Sequence, residues 1–269
     1  MNNLIIFSKN RACQLNLLLD SIVKNANNLF DNITVLYKAD VEYASSYALL
    51  KTRHENVLFR PEKNFRQDLL SLLDPYYTAT CFMVDDAVIH GDLSTSKGLI
   101  EYLCDWSLGC FSLRLGLNCN YSHPADLHYS LGEYEDMGLA ISFDYTKQNG
   151  DFAYPLSTDG HIFQTTLLIT MLNEIVFNNP NTLEANLQQY KHANILPKKV
   201  ICFKESKLVS IPVNLVNDTF NNRHGLEFYM SEIELNNKYL YGEIIDLDAL
   251  DFSGINGPHK EIKYIFKKV

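Results

Sequence analysis

The stretch "CFMVDDAVIH", residues 81–90, sets two adjacent carboxylates, Asp85 and Asp86, at the end of an apolar run. Carboxylate oxygens suit a hard divalent cation, and Mg²⁺ is often held by one or two carboxylates together with substrate phosphates. One aspartate could bind the metal while its neighbour orients a sugar hydroxyl; an acidic turn is the plain alternative. Further along, "YPLSTDGHIF" (154–163) carries Ser157, Thr158 and Asp159 ahead of an apolar stretch, where any of the three could cap a helix. The formal net charge of −9 excludes a protein that holds nucleic acid through a global positive field. An anionic substrate therefore needs local cations or a metal.

The elements that must position these residues can be read from period. "NLIIFS" (3–8) is a compact apolar strand, and residues 11–26 repeat Leu15, Leu18, Leu19, Ile22 and Val23 at helical spacing. Strand-like 32–39, helical 41–54, strand 56–60, helix 65–74 and strand 78–84 complete a β-α-β-α-β-α-β series. Such alternation predicts an α/β fold with an open, mostly parallel sheet covered by helices. Ligands bind such sheets beyond the carboxyl ends of the strands. Ser8, Lys9 and Arg11 follow the first strand, Asp40 the second, and Asp85 and Asp86 the fourth, so all fall on one rim.

After residue 90 the pattern loosens. Residues 93–106 read as a helix and 110–116 as a strand; 117–150 are polar, aromatic and rich in turn formers. Helices are expected over 159–175, with Asp159 near the start, and over 178–193, with Asn181 and Glu184 in a capping-box-like arrangement. Strands at 199–204 and 208–213 are joined by a tight turn, and a helix lies around 227–240. No internal repeat and no domain boundary is evident, so 1–269 reads as one unit.

Several common uses of this architecture are missing. There is no GxGxxG, no GxxxxGK[ST] and no GxSxG. The six cysteines form no CxxC pair and read as reduced thiols of a cytosolic protein. The N-terminus lacks a basic region and a long apolar run, as a signal peptide would have, and no segment approaches the ~20 apolar residues of a membrane span. The tail "HKEIKYIFKKV" carries four lysines and reads as a terminal strand that could touch an anionic membrane surface.

The opening "IIFSKNRACQLNLLLDSI", the βαβ units and "FMVDDAVI" together resemble the nucleotide-sugar-binding half of GT-A-fold glycosyltransferases, particularly the family-two-like bacterial enzymes. The similarity covers roughly residues 1–115 and extends more loosely through "YPLSTDGHIF" to the end, an acceptor-side α+β half over 116–269. It implies an enzyme that moves a sugar from a nucleotide-diphosphate donor to a glycan or lipid-linked acceptor, metal-dependent and inverting, in the cytoplasm with at most peripheral contact at the membrane's inner face. Ser8, Lys9 and Arg11 would cradle the nucleotide, Asp40 the base, and Arg60 and Asn64 would add nucleotide contacts. Asp86 would hold Mn²⁺ or Mg²⁺ and Asp85 the donor sugar or ribose, although Val84 and Ala87 flank the pair, so it is DD and not a strict DxD. His161 or His259 could complete the metal shell. Arg114 could neutralise the diphosphate leaving group. Asp159 would be the general base, with Asp136 of "EYED" as competitor. A sugar nucleotidyltransferase and a degenerate GT-A domain acting as a binding module are the alternatives.

Overall fold

The computed structural model describes every residue except 99, 101–107, 193–195, 217–218 and 220–221. Strand β1 (Asn2–Lys9) is followed by helix α1 (Ala12–Asn25), β2 (Asn32–Lys38), α2 (Ala44–Arg53), β3 (Leu58–Pro61), α3 (Phe65–Leu72) and β4 (Ala79–Val84), the alternation that the sequence periods dictate. Beyond the acidic pair come β5 (Ala87–Ile89), β6 (Leu108–Ser112), β7 (Tyr121–Ser122), β8 (Leu127–His128), β9 (Glu135–Asp136), β10 (Ala140–Asp144) and β11 (His161–Gln164). Helices α4 (Thr165–Glu174) and α5 (Pro180–Leu187), strands β12 (Lys199–Phe203) and β13 (Leu208–Ser210), helix α6 (Glu232–Leu240), and strands β14 (Glu243–Ile245) and β15 (Phe266–Lys268) complete the chain.

One sheet of nine strands runs in the order β3-β2-β1-β4-β11-β6-β12-β10-β9. The first four strands are mutually parallel, β6 and β12 share their direction, and β11 and β10 run against them. The sheet is thus mostly parallel. The chain winds outward from β1 through β2 to β3 and then returns to the other side of β1 with β4. The crevice between β1 and β4 is therefore a topological switch point, where ligands of such sheets bind.

Both faces of the sheet are covered. Along β1, Leu4 and Ile6 point into one apolar cluster with Leu15, Leu18 and Leu19 of α1, while Ile5 and Phe7 point into another with Phe65, Leu69, Phe163 and Leu168. That alternation is the period-two rule of a strand buried on both sides.

Several sequence expectations change. Residues 159–175 do not form one helix: His161–Gln164 is a strand paired antiparallel to β4 and β6, and the helix begins at Thr165. A four-residue buried strand leading straight into a helix cannot be separated from it by periodicity alone. The capping box belongs to Asn179 and Thr182, not to Asn181 and Glu184. Strands β12 and β13 do not form a hairpin; β12 lies between β6 and β10, and β13 pairs with β5. The helix expected near 227–240 starts at Glu232, and the strand expected at 110–116 spans Leu108–Ser112. The expected helix over 93–106 lies largely outside the described residues. Among the described residues no helix is long and apolar enough to cross a membrane.

Candidate active site

The turn from β1 into α1 begins the site. Asn10 adopts φ 58°, in the left-handed region that Asn enters more readily than most residues. Its side chain grips the loop after β2: Nδ2 donates to Asp40 at 2.7 Å, and Asp40 N donates to Asn10 Oδ1 at 2.9 Å. The turn places Lys9 N 3.0 Å from Asp85 Oδ2. Ser8 Oγ is engaged by Tyr47 Oη, which also accepts from Arg11 N.

Arg11 holds the acidic pair. Its Nη1 donates to Asp85 Oδ1 at 3.1 Å and to Asp86 Oδ2 at 2.9 Å, while Nη2 donates to the Asn214 carbonyl. Burial opposes the charge on Arg11, but the two carboxylates outweigh it and hold the guanidinium pKa above its ordinary value. Burial, with Asp86 alongside, pushes Asp85 up to about 6 despite the Arg11 contact. Arg11 is thus the counter-ion of the pair, on the turn that the resemblance assigns to the nucleotide.

Asp159 reaches the same rim because β11 is antiparallel: its first residue, His161, pairs with Phe82 near the end of β4. Gly160 makes the turn with φ +72°, donating to Phe82 O at 2.7 Å and accepting from Leu113 N at 2.8 Å. Asp159 is buried (5% exposed) and stands at no helix terminus, so the capping reading falls away. Ser210 Oγ donates to its Oδ2, Arg114 Nη1 lies 3.6 Å from that oxygen, and Oδ1 has no hydrogen-bond partner. Burial raises the Asp159 pKa to about 6, against the pull of Arg114 and Ser210. The segment before it is anchored by Glu184, whose Oε2 accepts from Thr158 N at 2.6 Å and from the hydroxyls of Thr158 and Ser157.

These groups line one cavity of about 1360 Å³, shared by Ser8, Lys9, Arg11, Asp85, Asp86, Arg114, Asp159, His161 and His259. Four candidates do not line it. Asp136 sits exposed on edge strand β9, paired with Lys204 at 2.7 Å. Asp40 is exposed and held by Asn10; Arg60 pairs with Asp68 at 3.2 Å; Asn64 caps α3 by accepting from Gln67 N.

The metal set is not assembled as the resemblance implied. Among the described residues no three His, Cys, Asp or Glu side chains group as metal ligands. His161 is buried with Nδ1 on the Pro155 carbonyl at 3.0 Å, and burial lowers its pKa to about 3. His259 lies against Arg114, whose Nη2 is 3.3 and 3.4 Å from the two ring nitrogens, and burial keeps that imidazole neutral. Of the acidic pair, Asp86 Oδ1 alone carries no contact among the described residues.

Sequence reasoning missed Asn10, Tyr47, Ser210 and Asn214. Asn10 had a readable signal, a turn-forming Asn between a strand and a helix. The others lie 36 to 203 residues from the side chains they serve, and no local pattern marks them.

No family model and no curated protein matches the chain. Solved structures do. The S. aureus TarS fragment 1–349 in complex with UDP-GlcNAc is 14% identical, with TM-score 0.53 over 86% of this chain and 62% of that one. The same fragment with UDP gives TM-score 0.51 at 14% identity, over 77% of this chain and 59% of that one. The fold is GT-A-like. This GT-A-like chain spans less than two thirds of the TarS chains it matches. A weaker likeness, TM-score 0.44 at 12% identity over 90% of this chain and 96% of the other, is to 4-diphosphocytidyl-2C-methyl-D-erythritol synthase of Anaerococcus prevotii, and it decides nothing about activity.

Proposed function

We propose that the protein transfers a sugar from a nucleotide-diphosphate sugar to an acceptor hydroxyl, with inversion at the anomeric carbon. The observation that carries this reading is Asp159 Oδ1, a buried and unpartnered carboxylate oxygen in the same cavity as the acidic pair at the β1–β4 switch point. That TarS, which shares the fold, was solved with UDP-GlcNAc and with UDP supports the donor class.

The donor's nucleotide would lie against Ser8, Lys9 and Lys38 at the ends of β1 and β2, with the sugar reaching Asp85 and Asp86. Asp159 Oδ1 takes the proton of the acceptor hydroxyl while that oxygen attacks the anomeric carbon. The bond from that carbon to the diphosphate breaks, and its electron pair leaves with the phosphate oxygen. Ser210 and Arg114 hold the other Asp159 oxygen, which leaves Oδ1 as the one free to take a proton. A base with pKa near 6 is ionised at neutral pH yet retains proton affinity. A Mg²⁺ or Mn²⁺ ion would find one protein oxygen, Asp86 Oδ1, and would need the diphosphate and water for the rest of its shell; bound there it would stabilise charge on the leaving group.

The test is turnover of a panel of UDP-, GDP-, CDP- and dTDP-sugars, followed as hydrolysis and as transfer. Asp159→Asn should cut turnover by roughly 10²–10⁴-fold, the range for a general base, while calorimetry shows nucleoside diphosphate binding intact. Full turnover in Asp159→Asn rejects the assignment of the base; no nucleotide binding by the wild type rejects the reading itself.

A further inference from the structure

A second group of side chains lines the cavity apart from the donor residues, carried by the loops around β7, β8 and residues 149–154. Three buried polar atoms there are incompletely satisfied: Tyr129 Oη and Asp151 Oδ2 interact with each other without closing a hydrogen bond of good geometry, and His123 Nδ1 has no partner among the described residues. Each such atom costs about 1–3 kcal/mol when left unsatisfied. Three on side chains that line one cavity mark a place where a ligand could supply the missing partners.

The group is built, not incidental. The Tyr129 ring meets Phe152 edge-on at 5.7 Å and stands against Gly150, where a Cβ would come within 2.3 Å of the ring. Gly150 itself has φ +56°, a conformation that glycine adopts without strain. His123 is fixed through Nε2, 3.4 Å from Glu261, whose carboxylate is in turn held by the backbone N–H groups of Leu226, Glu227 and Phe228. Nδ1 is the ring nitrogen left over.

Charge selects the ligand class. Asp151 has no ion-pair partner among the described residues, and Glu184 accepts only from neutral hydroxyls and one backbone N–H. The two nearby arginines already pair with carboxylates: Arg114 with Asp159, its Nη groups also meeting Ser157 and His259 while Nε has no partner, and Arg223 with Asp126, beside Tyr121 Oη and the His123 carbonyl. A phosphate entering here would meet two carboxylates and, among the described residues, no arginine that lacks a carboxylate partner of its own. A sugar hydroxyl, which both donates and accepts, can satisfy all three atoms.

We infer that Tyr129, Asp151 and His123 form the acceptor subsite, and that it takes an uncharged, polyhydroxylated sugar unit rather than a polyol phosphate. This rests on the transferase reading above. Asp151 accepts from one ring hydroxyl and Tyr129 Oη bridges to a neighbouring one.

Saturation-transfer NMR tests it, using the methyl glycosides of glucose, galactose, mannose and N-acetylglucosamine against glycerol 3-phosphate and ribitol 5-phosphate, with and without nucleoside diphosphate. At least one neutral glycoside should give a signal and neither phosphate should. Asp151→Asn and Tyr129→Phe should each weaken the glycoside by about five- to ten-fold, the effect of one lost hydrogen bond. Calorimetry with nucleoside diphosphates reports on the donor end of each variant and on its folding. Signal from the phosphates, signal from neither class, or glycoside binding indifferent to both substitutions overturns the inference. Glycoside binding without any nucleotide binding instead overturns the donor reading and leaves the subsite standing.

Discussion

Asp159 has two oxygens in unlike surroundings: Oδ2 takes the Ser210 hydroxyl and faces Arg114, and Oδ1 takes nothing. A hydrogen bond to the ionised form lowers a carboxyl pKa, so removing it raises the pKa. In Ser210→Ala the acid limb of kcat/KM against pH should therefore move above its wild-type position near pH 6, while Ser210→Thr, which keeps the hydroxyl, should hold it in place. An unmoved limb in Ser210→Ala would mean that another group sets it. Asp86 carries a second prediction. With Arg11 occupying Oδ2 of Asp86 and both Asp85 oxygens engaged, Mn²⁺ alone should leave the melting temperature unchanged, and Mn²⁺ with a nucleoside diphosphate should raise it. Chelation should abolish that joint effect. A metal-only shift would show a complete protein site. None of these pairings could be read from the chain. Asp85 and Asp86 were legible as chemistry because two like charges after an apolar run need a reason; that their counter-ion is Arg11, 74 and 75 residues away, depends on how α1 is docked.

The elements were legible where their periods were clean and long. β1 to β4 and the three helices between them follow the sequence reading, because each apolar stripe is buried on a face that its period defines. β11 was not, and the consequence reaches the site: an antiparallel strand brings its beginning to the rim, so Asp159 arrives there by sheet register and not by a helix terminus. Arg66 shows the same limit. By residue type alone it is one more cation in the segment that follows β3. In the fold, Nε donates to Ile175 O at 3.1 Å and Nη2 to Asn173 O at 3.0 Å and Leu172 O at 3.3 Å, closing the end of α4. Carbonyls in the last turn of a helix have no partners within it, and a cation there also meets the negative end of the dipole. Arg66→Ala should cost about 1–3 kcal/mol in urea unfolding without changing nucleotide affinity. A loss of affinity at unchanged stability would return Arg66 to the binding site.

At the scale of the whole molecule, the buried carboxylates set stability against function. Asp159 has a folded-state pKa of about 6 against an ordinary 3.8, and Asp85 is raised in the same direction. Between those values the folded state binds more protons than the unfolded chain, so the contribution of Asp159 is full at low pH and is lost as pH rises through 6. The gap is worth roughly 3 kcal/mol. Asp159→Asn should then melt at a higher temperature than wild type above about pH 7, with the advantage narrowing as pH falls through 6; equal melting at all pH values would reject the burial argument. Such a cost is what a strained functional group imposes on its scaffold. The convergence on one rim was legible from strand ends alone. His259 apart, the closure of the site by the C-terminal part of the chain was not, since Ser210 enters through a backbone pairing and Asn214 through a contact from Arg11 that no pattern announces.

Those pairings have a consequence for the order of events during synthesis. Ser210 bonds across to Ala87 beside the acidic pair and bridges to His259, so the pocket draws on segments far apart in the sequence. The strands that would grip the nucleotide, β1 to β4, are synthesised by Val84, long before the segment that braces the base. The carboxylate proposed as base therefore lacks its brace until Ser210 and then His259 have been made and docked.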